Sequence, residues 1–272
     1  MNFQPRTRRG LLAATASAAL LLVTACGGDG GEDSGSGDGL GLVSDGTLTA
    51  CSNVPFPPFE VEDPDAPSGY SGFDIDLLQA IADEMELDLE VLNVSFEALQ
   101  SGSTFAAGQC DIGASAITIT PEREENLTFT APYYDSLQSL LVAPDSGIES
   151  IADLDGKKVG VQAGTTGLSY AEENATGATV VEYPGNAELW SAIQAGQIDA
   201  ILQDLPVNIE NAAADPAYVI VEEYTTDEQY GYAMAKDASP ELVEGIDTAL
   251  ENLRGDGTYQ EIYDSYFAVE SQ

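Results

Sequence analysis

Arg123 ends the run Ser115-Ala-Ile-Thr-Ile-Thr-Pro-Glu-Arg, which sets a guanidinium close to several hydroxyls. A guanidinium offers a planar fork of donors that fits a carboxylate with two parallel hydrogen bonds. Positive charge is scarce here: the chain has 8 Lys and Arg against 47 Asp and Glu. Three of those eight, Arg6, Arg8 and Arg9, fall in an N-terminal stretch that reads as removable, which leaves five. An arginine beside hydroxyls in so acidic a chain points to a receptor for a small carboxylate. A surface arginine paired with Glu122 or Glu124 is the other reading of the same spacing. The chain has no histidine, and its three cysteines have no two-cysteine ligand spacing. Zinc, haem and histidine-dependent nucleophilic catalysis therefore lack their residues, and neither a metal nor a cofactor is expected.

Something must export and hold such a receptor. Residues 1–25 read as a signal peptide, with a basic start, an apolar stretch from Leu11 to Val23 and a small-residue cleavage region. The apolar stretch falls short of the roughly 20 residues that span a bilayer. Leu22-Val-Thr-Ala-Cys26-Gly resembles the lipobox of bacterial lipoproteins, which makes Cys26 a lipidated N-terminus; a plain signal peptide that contains a cysteine is the alternative. Thr7-Arg8-Arg9-Gly10-Leu11-Leu12 also resembles a twin-arginine signal, and the two export routes stay open. Residues 26–42, mostly Gly, Ser, Asp and Glu after the cysteine, are expected to form a flexible acidic tether. The expected location is the extracellular face of the cytoplasmic membrane, lipid-anchored. The formal net charge of −39 disfavours nucleic acid and anionic lipid headgroups as partners. It suits a saline habitat or an acidic proteome equally well. With Cys26 assigned to lipid, Cys51 and Cys110 remain as a pair in an oxidising compartment, either disulfide-bonded or as two buried thiols.

From about Val43 onward, short apolar runs alternate with helix-like stretches, the signature of βα units and of an α/β protein. Thr47 to Ser52 reads as a strand, followed by the Pro-rich loop Asn53-Val-Pro-Phe-Pro-Pro-Phe59. Ile75, Leu78, Ile81, Ala82 and Met85 share one helical face. Strands are expected over 87–94 and 110–115, flanking a helix over 96–107. A second series follows, with strands over 158–162, 180–183, 199–202, 218–221 and 229–235 and helices over 189–193 and 206–213. The chain closes with helices over 240–253 and 259–267.

Six segments in order carry a resemblance: Phe59 with Gly72-Phe-Asp-Ile-Asp-Leu77, Ile117-Thr-Ile-Thr-Pro-Glu-Arg123, Gly156-Lys-Lys-Val-Gly-Val161 with Gly164-Thr-Thr166, Ile198-Asp-Ala200, Gln203-Asp-Leu-Pro206, and Gly255-Asp-Gly-Thr-Tyr259. Together they resemble the polar amino acid class of ABC-transporter substrate-binding proteins, extracellular solute-binding protein family 3, over about residues 47–267. The resemblance implies an α/β two-lobed periplasmic-binding-protein-like fold (type II), each lobe a mainly parallel sheet flanked by helices. Lobe 1 would combine 43–133 with 233–272 and lobe 2 would run over 139–228. The hinges would lie near 134–142 and 227–233.

Carried over by position, Arg123 would clamp a ligand α-carboxylate, and Asp204, on the other lobe, would take the α-ammonium. For Asp204 a helix N-cap before Leu205 and Pro206 is the structural alternative. Ser115, the backbone of Ala116 and Thr118 would line the carboxylate side, with Thr166 reaching from lobe 2. Phe56 and Phe96 would sandwich the ligand side chain, or serve as ordinary core. Asn53 stands where relatives that bind basic amino acids tend to have Asp, while Gln162 and Gln203 suit a side-chain amide, so a glutamine-like or other neutral polar ligand is expected. The implied partners are an amino acid, an ABC permease and, through Cys26, the membrane; the protein itself is expected to be a monomer. An exported cyclic-acid dehydratase is the enzymatic alternative, with Asp204 and Glu60 as its only nearby acids, and a ligand-sensing lipoprotein is a third reading. Transport without catalysis is the expectation.

Overall fold

The computed structural model describes residues 39–268. The signal peptide, Cys26 and most of the tether lie outside the described residues.

In chain order the elements are β1 (Thr47–Ser52), β2 (Val61–Glu62), β3 (Tyr70–Ser71), α1 (Phe73–Glu84), β4 (Asp88–Asn93), α2 (Phe96–Gln100), α3 (Ser103–Ala106), β5 (Ile112–Gly113), α4 (Pro121–Glu124), β6 (Leu127–Phe129) and β7 (Tyr134–Val142). They continue through β8 (Lys158–Gln162), α5 (Thr166–Asn174), β9 (Thr179–Tyr183), α6 (Asn186–Gln194), β10 (Ala200–Asp204), α7 (Leu205–Ala214), β11 (Val219–Tyr230), β12 (Ala233–Ala235), α8 (Pro240–Asp256) and α9 (Thr258–Phe267). Two five-stranded sheets result, ordered β4-β1-β5-β12-β6 and β11-β7-β10-β8-β9. In each, parallel pairs on one side give way to antiparallel pairs on the other. This is a two-lobed α/β fold.

The chain passes between the sheets twice, from β6 into β7 and from β11 into β12, and the two passages lie side by side. Tyr133 donates its N–H to Tyr230 O at 2.8 Å and Thr130 to Tyr232 O at 3.0 Å. β7 and β11 then pair antiparallel, with a register shift between Tyr224 and Glu228. Asp227 takes a φ of 52° in that bulge. The extra residues turn the Glu228 side chain inward, where only 8% of it stays exposed.

Each lobe buries its own apolar set. In α1, Ile75, Leu78, Ile81 and Ala82 fall on one face, as the 3.6-residue period requires, and are almost fully buried. Helix α8 begins at Ser239, whose hydroxyl accepts from Leu242 N, with Pro240 in the first turn, and ends at Gly257 in the left-handed conformation. Its buried Leu242, Ile246, Ala249, Leu250 and Leu253 pack with α1 and the Tyr133, Tyr230 and Tyr232 rings. Gly72, just before α1, has a φ of 119°, and a Cβ there would sit 2.2 Å from Phe59 O. Only glycine fits, and that close approach fixes where Asp74 enters the core.

Cys51 of β1 and Cys110 are joined by a disulfide, with Cα atoms 5.8 Å apart. Both are buried, among Phe96, Leu99 and Phe105. The bond closes a sequence separation of 59 residues and ties the strand that leads to Asn53 to the segment that leads to Ser115. Removing both cysteines as Cys51→Ala with Cys110→Ala is expected to cost about 2–4 kcal/mol. Urea unfolding checks this; an unchanged midpoint would mean that the bond adds nothing to stability.

Candidate ligand-binding cleft

Arg123 is placed by a single turn of helix. Thr120 caps α4, its hydroxyl accepting from Arg123 N at 3.2 Å, and Pro121 opens the turn. The guanidinium lies 7% exposed between the lobes. Nη1 donates to Thr118 O at 2.8 Å, and Nη2 donates across the cleft to Gly164 O at 2.9 Å. Its carbon stands 5.4 Å from the Phe96 ring centroid, within cation–π range. Among the described residues the one ion pair within 4.0 Å joins Lys157 to Asp199. Arg123 is thus buried without a carboxylate in contact, and Glu122 and Glu124 are exposed beside it. Burial lowers its pKa, which Asp204 and Glu228 counteract through their charge.

Asp204 ends β10 and occupies the N-cap position of α7, but its side chain makes no cap hydrogen bond. It accepts instead from Gln138 Nε2 and from Tyr230 O–H, the latter at 2.6 Å. The N-cap reading therefore fails for its side chain. Burial, then the charge of Glu228, raise its pKa from 3.8 to about 7, against the opposing effects of Tyr230, Gln138 and Arg123. Glu228 accepts from Thr118 O–H at 3.0 Å and from Thr166 O–H at 2.9 Å, and Gln138 Nε2 reaches it at 3.2 Å.

Behind the carboxylate side sits a second acidic pair. Ser115 donates to Glu60 Oε1 at 2.7 Å and accepts from Asn53 N at 3.1 Å. Asp74 accepts from Ala116 N and from Tyr133 O–H, both at 2.7 Å. These bonds hold Ala116 at a φ of 45°, a left-handed conformation uncommon for a residue with a Cβ. Burial and the charge of Asp74 push Glu60 well up, and burial raises Asp74 to about 7. Glu60 Oε2 and Asp74 Oδ1 are buried without a hydrogen-bond partner.

The space between the lobes is lined by Phe56, Phe96, Ser115, Ala116, Thr118, Arg123, Gln162, Thr165, Thr166 and Asp204. Nine of the residues named from sequence thus surround one space. Asn53 is absent from the wall but accepts from Gln162 Nε2 at 2.9 Å, a second hydrogen bond across the cleft. Gln203 is turned away, its Nε2 donating to Asn208 at 2.9 Å inside lobe 2. Phe56 and Phe96 serve both readings, since each packs into the lobe 1 core and also faces the cavity. Asp199 accepts from Lys158 N at 2.8 Å and pairs with Lys157 at the surface, away from this space.

Glu228, Gln138 and Tyr230 went unrecognised in the sequence. Glu228 is hidden in the acidic run Glu222–Glu228, which reads as solvated, and only the bulge turns it inward. A faint signal existed for Gln138: in β7, Ser136 and Gln138 stand two residues apart with Leu137 between them, so two polar groups share one strand face.

A cleft with a buried, unpaired guanidinium on one lobe, a buried carboxylate on the other and two phenyl rings beside them defines a two-lobed receptor for a small molecule that carries both charges. The chain matches the bacterial extracellular solute-binding proteins, family 3, over residues 48–269, and it belongs to that family. It is 33% identical over 236 residues to the putative ABC transporter arginine-binding protein 2 of Escherichia coli (strain K12), covering 85% of this chain and 95% of that protein. Among solved structures, an ancestral arginine-binding protein bound to glutamine superposes with a TM-score of 0.77 at 33% identity, covering 83% of this chain and all of the other. The ancestral amino acid-binding protein AncCDT-1, a precursor of cyclohexadienyl dehydratase, superposes with a TM-score of 0.73 at 33% identity, over 82% of this chain and 95% of the other. The relatives are mainly amino acid-binding proteins of ABC transporters rather than enzymes.

Proposed function

We propose that the protein captures a free amino acid outside the cell and delivers it to an ABC permease, held to the membrane by lipid on Cys26. The observation that carries this reading is the pairing of Arg123 and Asp204 on opposite lobes of one cavity. A zwitterion brings the carboxylate that Arg123 lacks and the ammonium that Asp204 lacks, and only closed lobes satisfy both ends. Closure then follows from the ligand's better contacts in the closed state. Ser115, Thr118 and Thr166 supply hydroxyls around the charged end, and Phe56 and Phe96 flank the side chain.

The ligand side chain should end in an amide. Beyond the rings stands the amide pair of Gln162 and Asn53, in which Gln162 has already spent a donor on Asn53 Oδ1 and Asn53 Nδ2 donates to Val94 O at 2.8 Å. Each amide has used one of its two N–H donors, so the pair still offers two donors and the Gln162 acceptor, which suits a glutamine-like amide. A guanidinium or ammonium end is the second reading, supported by the excess of buried carboxylates, Glu60, Asp74, Asp204 and Glu228, around a single arginine. Acidic side chains have no second cation to meet, and an unpaired buried charge is costly.

Calorimetric titration of the twenty amino acids, ornithine and citrulline into the purified protein tests this. Tight binding of glutamine with weak binding of arginine and lysine is the expected result, and the reverse order would replace the amide reading by the cationic one. Binding of none of them would overturn the amino acid assignment, and turnover of a cyclic acid would then favour the dehydratase alternative.

A further inference from the structure

Arg254, near the end of α8, shares two kinds of contact with Arg123, to a backbone carbonyl and to an aromatic ring, but is exposed where Arg123 is buried. Among the described residues no carboxylate lies within 4.0 Å of it, although acids outnumber bases almost six to one in the chain. Its Nη2 donates to a backbone carbonyl, Pro132 O, at 2.8 Å, and its guanidinium carbon lies 5.1 Å from the centroid of an aromatic ring, that of Tyr259. It also lines an open groove of about 290 Å³ beside the two passages between the lobes. Its other walls include Tyr134 and Asp135 of β7, Gln229 of β11, and Tyr259 and Tyr263 of α9. Tyr259 is held in turn, its O–H donating to Tyr133 O at 2.6 Å.

We propose that this groove is a second binding site, which takes a small zwitterion with its carboxylate on Arg254 and its N–H donor on Asp135. The guanidinium supplies the fork that a carboxylate fits. Asp135 opposes a plain anion at the same place and selects a molecule that carries a cationic donor beside its carboxylate. One oxygen of Asp135 already accepts from Gln229 Nε2 at 2.8 Å, a clasp between the two hinge strands. A ligand that draws on Asp135 therefore touches the parts of the chain that move when the lobes open. Occupancy of the groove and closure of the main cleft are coupled, and the coupling runs both ways.

Glycine is the probe, titrated into the isotopically labelled full chain and followed by NMR at the amides of Asp135, Gln229, Tyr259 and Tyr263. The Arg123→Ala background silences the main cleft, so failure of the amino acid reading there leaves these signals untouched. Saturable shifts at the four amides, with a Kd in the millimolar range, are expected. They should disappear in Arg254→Gln and weaken by about tenfold in Asp135→Asn, which spares the Arg254 contact to Pro132. Should Arg254→Gln not fold, Asp135→Asn carries the test alone. Shifts that do not saturate, or curves that neither variant changes, would overturn the proposal.

Discussion

Arg123→Ala is expected to weaken amino acid binding by about 2–5 kcal/mol, from about thirtyfold to several thousandfold, because it strands the ligand carboxylate inside a closed cleft. The residue is 7% exposed and, among the described residues, no carboxylate lies within 4.0 Å, so it stands ready for one. Its contacts to Thr118 O and Gly164 O aim it rather than neutralise it. The substitution has a second consequence: Arg123 is the cation that holds down the pKa of Asp204, so its loss leaves that carboxyl more protonated and less able to hold an ammonium. Both ends of the ligand suffer from one change. Arg123→Lys separates charge from shape, since an ammonium restores the charge beside Asp204 but not the bidentate fork. Titration of both variants with the best ligand checks this, with Lys expected between wild type and Ala. Retention of full affinity by Arg123→Ala would remove Arg123 from the site.

How much of this was legible in the sequence depended on whether local or distant forces placed each residue. Strand β1 runs over Thr47–Ser52, as its apolar pattern predicts, and α8 and α9 begin within a residue of their predicted starts because Pro240 and Gly257 mark them. The single helix expected over 96–107 is two, α2 and α3, since Gly102 takes a φ of 80° between them. The strand expected over 110–115 shrinks to Ile112–Gly113, because the segment then turns at Ala116 to meet Asp74. β11 is the largest miss. Separate strands are expected over 218–221 and 229–235, yet pairing with β7 carries one strand through Glu222–Glu228 to Tyr230, where local propensity is poor. The site followed the same division. Residues in ordered motifs, Arg123, Thr118 and Asp204, could be named from the chain alone, whereas Glu228, Gln138 and Tyr230 reach the cleft only through the β7–β11 ladder. A pairing between strands some ninety residues apart leaves no mark on either segment.

Binding should weaken as the pH falls below about 7, by about tenfold per unit, because Asp204 must be ionised to hold an ammonium and its pKa in the empty cleft is about 7. The cause is burial first and the neighbouring Glu228 second. Glu60, Asp74, Glu228, Arg123 and Tyr230 are the other ionisable groups around it; the hydrogen bonds from Tyr230 and Gln138, and then the charge of Arg123, pull the value down. For the empty protein the sign is opposite to that of a salt-bridged acid. An Asp whose folded pKa lies above its ordinary 3.8 binds protons more tightly folded than unfolded, so stability declines as the pH rises from about 4 through about 7. Asp74, also raised to about 7, adds to the same window with the same sign. The ligand reverses this for Asp204 by bringing a positive charge to the ionised carboxylate. Thermal stabilisation by ligand should therefore be small at pH 5 and large at pH 8, while the empty protein shows the opposite trend. Calorimetry near pH 7 in buffers of different ionisation enthalpy should show about half a proton released on binding. Asp204→Asn keeps the shape, removes the titrating group and should flatten the pH dependence while lowering the affinity at pH 8. If affinity stays constant between pH 5 and pH 8 in the wild type, the ammonium is held elsewhere, with Glu228 the nearest remaining acid.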